Sequence, residues 1–466
     1  MKIMKESFPR FFGILVAAGL IIGMTACGPR KTQEEQAVIT VSEVSHPDWS
    51  KNASIYEVNV RQYTPEGTFK AFEEHLDRLQ DLGVDILWFM PITPIGELNR
   101  KGSLGSYYSV KNYTEINPEF GTLEDFKHLV EEIHARDMYV ILDWVANHTA
   151  WDHPWTETHP EYYTRDEEGN FVPPVEDWAD VIDLNYDNKD LWEAMTGEMR
   201  FWVQEIGVDG FRCDVADMVP TEFWNQAVEE LEKIKPLFML AEAEKPHLHE
   251  MAFEMGYGWT LHHLMNNIAQ NESDVSVLDN YFFEVNPEER FPKGAYKMNF
   301  ITNHDENSWS GTEFDRLGEA KEAFAVLTAT VPGMILLYTG QEAGSDKMLS
   351  FFEKDQVEWG HYDYHGFYQT LLYLKGRNKA LWNGISGGEI QRVNTSQDEA
   401  IFAFVREKDS DQVMVVLNLS EEPAEVILEG TLYSGTYTEV FSGEVRTFEG
   451  NDTLSMEPWT YLVFEK

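Results

Sequence analysis

Cysteine is nearly missing: 466 residues contain two, Cys27 and Cys213. Positive charge is scarce as well, with 36 Lys and Arg against 81 Asp and Glu, a net charge of −45. No basic cluster interrupts that acidity, so phosphate backbones are repelled and nucleic acid is excluded as an expected partner. Acidic polysaccharides are disfavoured for the same reason, while neutral substrates stay open. Long apolar runs are also rare, and the one near the start, Phe11–Met24, would rise only about 21 Å as a helix. That is short of a hydrocarbon core of about 30 Å. What is present is ordinary globular material: 43% hydrophobic and 25% charged residues, which excludes disorder, collagen and coiled coil.

Lys2, Lys5 and Arg10 precede the Phe11–Met24 run, which ends in Thr25-Ala26-Cys27-Gly28. Charged head, short apolar stretch and small residues describe an export signal. Cys27 after Met24-Thr25-Ala26 resembles the bacterial lipobox, in which that cysteine is lipidated. The expectation is a lipoprotein signal over residues 1–27 and a polar tether over 28–50. The mature protein would be exported and anchored through lipid on Cys27 to a bacterial membrane, on its periplasmic or cell-surface side. Cys213 would then have no disulfide partner.

From residue 54, apolar runs alternate with helical patterns. The runs are Ser54–Val60, Val84–Ile92, Tyr139–Val145, Gly210–Ala216, Phe238–Glu244, a weak one at Tyr257–Leu261, Lys297–Thr302 and Met334–Thr339. Eight nearly continuous apolar strands, each followed by a helical stretch, predict an α/β fold, a (β/α)8 TIM barrel of buried parallel strands. The interval between the third and fourth runs is too long, about 65 residues, so a subdomain is inserted after strand 3. After Gly384 the pattern changes to short alternating strands, which predict a C-terminal antiparallel β-sandwich. The barrel would occupy 51–147 and 191–384, the inserted subdomain 148–190 and the sandwich 385–466.

Reactive side chains of such a barrel gather where strands end. Strand three ends Asp143-Trp144-Val145-Ala146-Asn147-His148, and strand four carries Gly210-Phe211-Arg212-Cys213-Asp214. Strand five ends Leu240-Ala241-Glu242 and strand seven Thr302-Asn303-His304-Asp305. Carboxylates converge there without a nucleophilic serine or cysteine, since strand alternation turns Cys213 away from Asp214 and into inert packing. Paired carboxyls suit glycosidic bond cleavage. One must donate a proton, and the other must stay ionised to attack carbon or activate water. Arg212 shares a face with Asp214 and can keep it charged, while Glu242 among Leu240, Ala241 and Ala243 favours its neutral form.

These motifs, in this order, resemble the four signature regions of the α-amylase family of retaining glycoside hydrolases, over a match running from about Ile55 to the C-terminus. Gly340-Gln341-Glu342 and Tyr107-Tyr108 add similar texture. The resemblance implies Asp214 as nucleophile, Glu242 as general acid/base and Asp305 as transition-state stabiliser. Arg212 would orient Asp214, His148 and His304 would bind hydroxyls of the sugar at the cleavage site, and Tyr108 or its neighbour Tyr107 would stack on that sugar. The implied activity is hydrolysis of α-glucosidic bonds in α-glucans or malto-oligosaccharides by double displacement. Transglycosylation, α-glucosidase or α-1,6 activity within the family is the alternative, with Val215 after the nucleophile leaning towards α-1,6 bonds. A non-catalytic glucan-binding accessory protein is the other class, disfavoured because all three carboxylates are kept. Asn147 and Asp183 match positions that hold structural calcium in many members, and no organic cofactor is expected. Trp144, Trp151, Trp155 and Trp178 form either a sugar platform or the small core of the insert.

Overall fold

A computed structural model describes residues 44–466 except residue 287. The export signal, Cys27 and most of the expected tether lie outside these described residues.

Eight parallel strands close into a barrel: Ile55–Val58, Ile86–Phe89, Tyr139–Trp144, Gly210–Cys213, Phe238–Ala241, Met255–Tyr257, Tyr296–Asn299 and Met334–Tyr338. Each pairs with the strands before and after it in sequence, and the first closes on the eighth through Ile55↔Leu336. Strand alternation splits the side chains into two cores. Ile55, Trp88, Ile141, Leu240, Tyr257 and Met298 fill the interior. Tyr56, Leu87, Leu142, Phe211, Cys213 and Met239 face the surrounding helices. Both faces are buried, which is why these strands read as unbroken apolar runs.

Helices cover the outer face. Leu123–His134 is representative: a capping box between Thr122 and Asp125 starts it, and Phe126, Leu129, Val130 and Ile133 form its buried stripe. The expected sixth strand is displaced. It occupies Met255–Tyr257, and most of the apolar Tyr257–Leu261 stretch opens the helix Trp259–Ala269. The long interval after the third strand holds a hairpin, His148–Ala150 paired with Val181–Asp183, and two short helical turns.

The C-terminal region forms a six-stranded antiparallel sheet with a two-stranded sheet beside it, Ala424–Ile427 with Thr453–Met456. Ile401, Ala403, Val405, Met414 and Val416 pack towards that pair. The alternate residues Phe402, Phe404, Val413, Val415 and Leu417 join the core around the barrel helices. The central strands are thus covered on both sides.

Candidate active site

Strand register sets the first layer of the site. Asp143 on the third strand stands beside Arg212 on the fourth, and alternation turns Arg212 and Asp214 inward while Cys213 points out to the helix-side core. A close backbone approach makes this possible: a Cβ on Gly210 would lie 1.8 Å from the Phe238 carbonyl oxygen. Cys213 is a buried free thiol whose burial raises it well above the usual range, matching the expected inert role.

Arg212 is fully buried and organises three carboxylates. Its Nη1 lies 2.9 Å from Asp143 and 2.9 Å from Asp214, its Nη2 lies 3.0 Å from Glu242, and its Nε donates to the Tyr257 hydroxyl at 3.1 Å. A buried guanidinium without such partners would cost several kcal/mol. Glu242 is held from a second side, accepting the Val215 N–H at 2.7 Å. Val215 adopts φ +37°, a left-handed conformation that a β-branched residue adopts only under constraint.

Burial dominates the ionisation of all three acids, even against Arg212. Asp143 and Asp214 are each raised to about 6. Glu242 is raised to about 7, by burial first and then by Asp214 and Asp305 against Arg212. Arg212 pulls both Asp214 and Glu242 down, yet burial leaves each above its ordinary carboxylate value. Between about pH 6 and 7 the nucleophile position is ionised and the acid position is protonated.

The histidines are tuned in opposite directions. Burial lowers His148 to about 3, so its ring is neutral. Burial also opposes charge on His304, but Asp305 and Glu57 outweigh it and raise the ring to about 9. The His304 Nδ1 is bonded to the Glu57 carboxylate. On its other side, Nε2 lies 2.8 Å from the Tyr108 hydroxyl, which donates to Asp143 at 3.0 Å. Trp88 donates to the same Asp143 oxygen at 3.2 Å.

Asp214, Glu242, Asp305, His148, His304 and Tyr108 all line one cavity of about 300 Å³, and the buried Arg212 holds two of its acids from behind. The open choice between the adjacent tyrosines resolves to Tyr108. Tyr107 is buried, donating to Asn59 and lying under Arg61. Of the four tryptophans only Trp178 reaches the cavity, edge-on to His148. Trp144 and Trp155 are core, and Trp151 donates to the Ala179 carbonyl. Glu342 is fully buried against Tyr56 and Arg78, outside the cavity.

Asn147 and Asp183, the expected calcium positions, both lie at the hairpin of the insert. The Asn147 side-chain amide lies 3.2 Å from His148 Nδ1, and its backbone carbonyl accepts the Leu184 N–H. Asp183 is a half-buried acid whose burial raises it, and among the described residues no cluster of three or more acid, imidazole or thiol groups is placed for a metal.

Several contributors escaped the sequence reading. Glu57 was the most legible, a lone acid on an apolar strand at the inward position two after Ile55. Trp309, Phe351 and Phe352 also line the cavity, but Trp309 sits on the short helical turn Glu306–Ser310 and the phenylalanines on the loop after the eighth strand, where no periodicity marks them.

A family model described as the alpha amylase catalytic domain matches residues 45–179 and 175–413, and one described as the maltogenic amylase C-terminal domain matches 391–463. The alpha-amylase MalA of Haloarcula japonica is 29% identical over 435 residues, covering 90% of this chain; the chain spans 62% of that relative's length. The alpha-1,4-glucan:maltose-1-phosphate maltosyltransferase of Cereibacter sphaeroides is 26% identical over 436 residues, covering 86% of this chain and 71% of its own. Among solved structures, a noncanonic maltogenic alpha-amylase from Thermotoga neapolitana superposes with a TM-score of 0.79 at 29% identity, covering 90% of this chain and 97% of its own. Barrel, carboxylate cluster and matched regions coincide, and the chain belongs to the α-amylase family of glycoside hydrolases.

Proposed function

We propose that this protein hydrolyses α-glucosidic bonds of α-glucans or malto-oligosaccharides by double displacement. Asp214 attacks the anomeric carbon while Glu242 protonates the leaving oxygen. Water then displaces Asp214 from the covalent glycosyl-enzyme, with Glu242 now taking the proton. Asp305 and His304 bind hydroxyls of the distorted sugar, and the neutral His148 ring offers both a donor and an acceptor. One observation carries this reading: Asp214 and Glu242 lie within 3.0 Å of the same guanidinium at the edge of one cavity. Double displacement asks for two carboxyls about 5–5.5 Å apart, and a shared guanidinium supports a close pair.

Proton NMR of the first-formed reducing ends tests the stereochemistry: α-configured ends are expected, and β-configured ends would overturn double displacement. Asp214→Asn is expected to abolish turnover while leaving oligosaccharide binding intact, and unchanged activity would remove the mechanism. Transfer to a sugar acceptor is the second reading, supported by the maltosyltransferase relative and by aromatic residues Trp178 and Trp309 flanking the cavity. Products longer than maltotriose, formed from maltotriose, would favour it. Export and lipid attachment at Cys27 complete the proposal, and replacing Cys27 with Ala should release the protein from the membrane fraction.

A further inference from the structure

The loop after the second barrel strand, residues 92–106, is fastened on both flanks. Towards the insert, Lys101 pairs with Asp180 at 2.9 Å and donates to the Asp177 carbonyl at 2.7 Å. The Glu97 N–H donates to Asp152 at 3.1 Å, and Lys111 bridges the Glu97 and Asp152 carboxylates. Towards the loop after the eighth strand, the Leu104 N–H donates to the Phe352 carbonyl at 3.1 Å and the Ser103 N–H to Glu353 at 2.9 Å. Packing there is tight: a Cβ on Gly102 would stand 2.4 Å from the Phe352 Cβ. The buried Arg61 holds the Gly105 carbonyl from below at 3.2 Å. A single exposed ion pair is weak, but these ties act on one short loop and fix it. Lys101, Asp180, Phe351 and Phe352 face the cavity, so the fastened loop, the insert and the loop after strand eight form a wall along one side of it.

Chemistry gives the wall a direction. The leaving oxygen must meet Glu242 at the end of the fifth strand. The sugar whose anomeric carbon is attacked lies on the other side, among Tyr108, His304 and Asp305, against the wall. Beyond Glu242 the residues turn outward to solvent: Asp217 and Met218 after the fourth strand and Lys245 after the fifth are exposed.

We propose that the protein cuts from the non-reducing end. The fastened loop stops the glycone side of the chain, so each cut releases a short sugar of fixed length, and the remaining chain leaves over the fourth and fifth strands. The inference rests on the α-glucan reading above and adds the mode of attack.

The test compares two maltohexaose substrates, both labelled at the reducing end, one of them also capped at the non-reducing 4- and 6-hydroxyls. The uncapped substrate should yield a single short unlabelled sugar from the earliest time points. The capped one should react at least about tenfold more slowly. Equal rates, or an early ladder of labelled products, would overturn the inference and leave the hydrolase reading standing. Failure to cleave either substrate would overturn the α-glucan reading itself. Loosening the wall with Lys101→Ala and Asp180→Asn should raise the capped-to-uncapped rate ratio, and an unchanged ratio would overturn the role given to this loop.

Discussion

Arg212 is the side chain on which the ionisation of the site turns, and its presence was readable two residues before Asp214 on an inward strand face. Its insufficiency was not readable, because burial depth depends on the whole barrel. Asp214 at about 6 and Glu242 at about 7 define a narrow working window. Activity should fall as pH drops below about 6 and again as it rises above about 7, as the buried acid cluster gains and then loses protons. The two limbs of a kcat/KM profile belong to the cluster and not to single residues. Glu242→Gln should lower the rate on malto-oligosaccharides by about 10² to 10⁴ and flatten the alkaline limb on a substrate whose leaving group needs no proton. Stability should move the other way. Glu242 is raised in the folded state, so the stability tied to its proton is full below the ordinary value and lost as pH rises through about 7. Calorimetry should therefore find Glu242→Gln melting above the parent at pH 8, with the gap closing near pH 4.

Among the elements, the strands with both faces buried were the most legible, because their apolar runs are unbroken. The sixth failed for a physical reason: it is three residues long, and Gly256 and Gly258 interrupt it just before the Trp259–Ala269 helix takes up the apolar sequence. The C-terminal strand Val445–Phe448 carries no apolar run for the opposite reason, since it lies at a sheet edge and exposes its first three residues. The rim aromatics carry no pattern at all, since Trp309 sits on a single helical turn and Phe351 and Phe352 on a loop, too short or irregular for periodicity. The contact between the fourth and fifth strands is the least tolerant joint. Gly210→Ala forces a methyl onto the Phe238 backbone and should cost at least about 4 kcal/mol, read as a lower urea midpoint or as loss of soluble protein.

At the scale of the molecule, the C-terminal sheet contributes one face to the core of the barrel helices. Buried Arg406 reinforces the join, donating to the Thr330 carbonyl at the end of a barrel helix and to Trp382 and Gly388 in the connection. Truncation after Gly384 should therefore expose that apolar face and give aggregated protein, whereas the intact chain should show one calorimetric transition. The net charge of −45 repels itself, so raising salt from about 10 to about 150 mM, which shortens the screening length from about 30 to about 8 Å, should raise the melting temperature. That same excess of acid reaches into the cavity, where one guanidinium answers for three carboxyls. Sugar mimics bearing a protonated ring nitrogen should consequently be drawn in ever more tightly as the medium turns alkaline, up to the point where the amine itself is neutralised. Phosphorylated sugars of the same outline should be turned away.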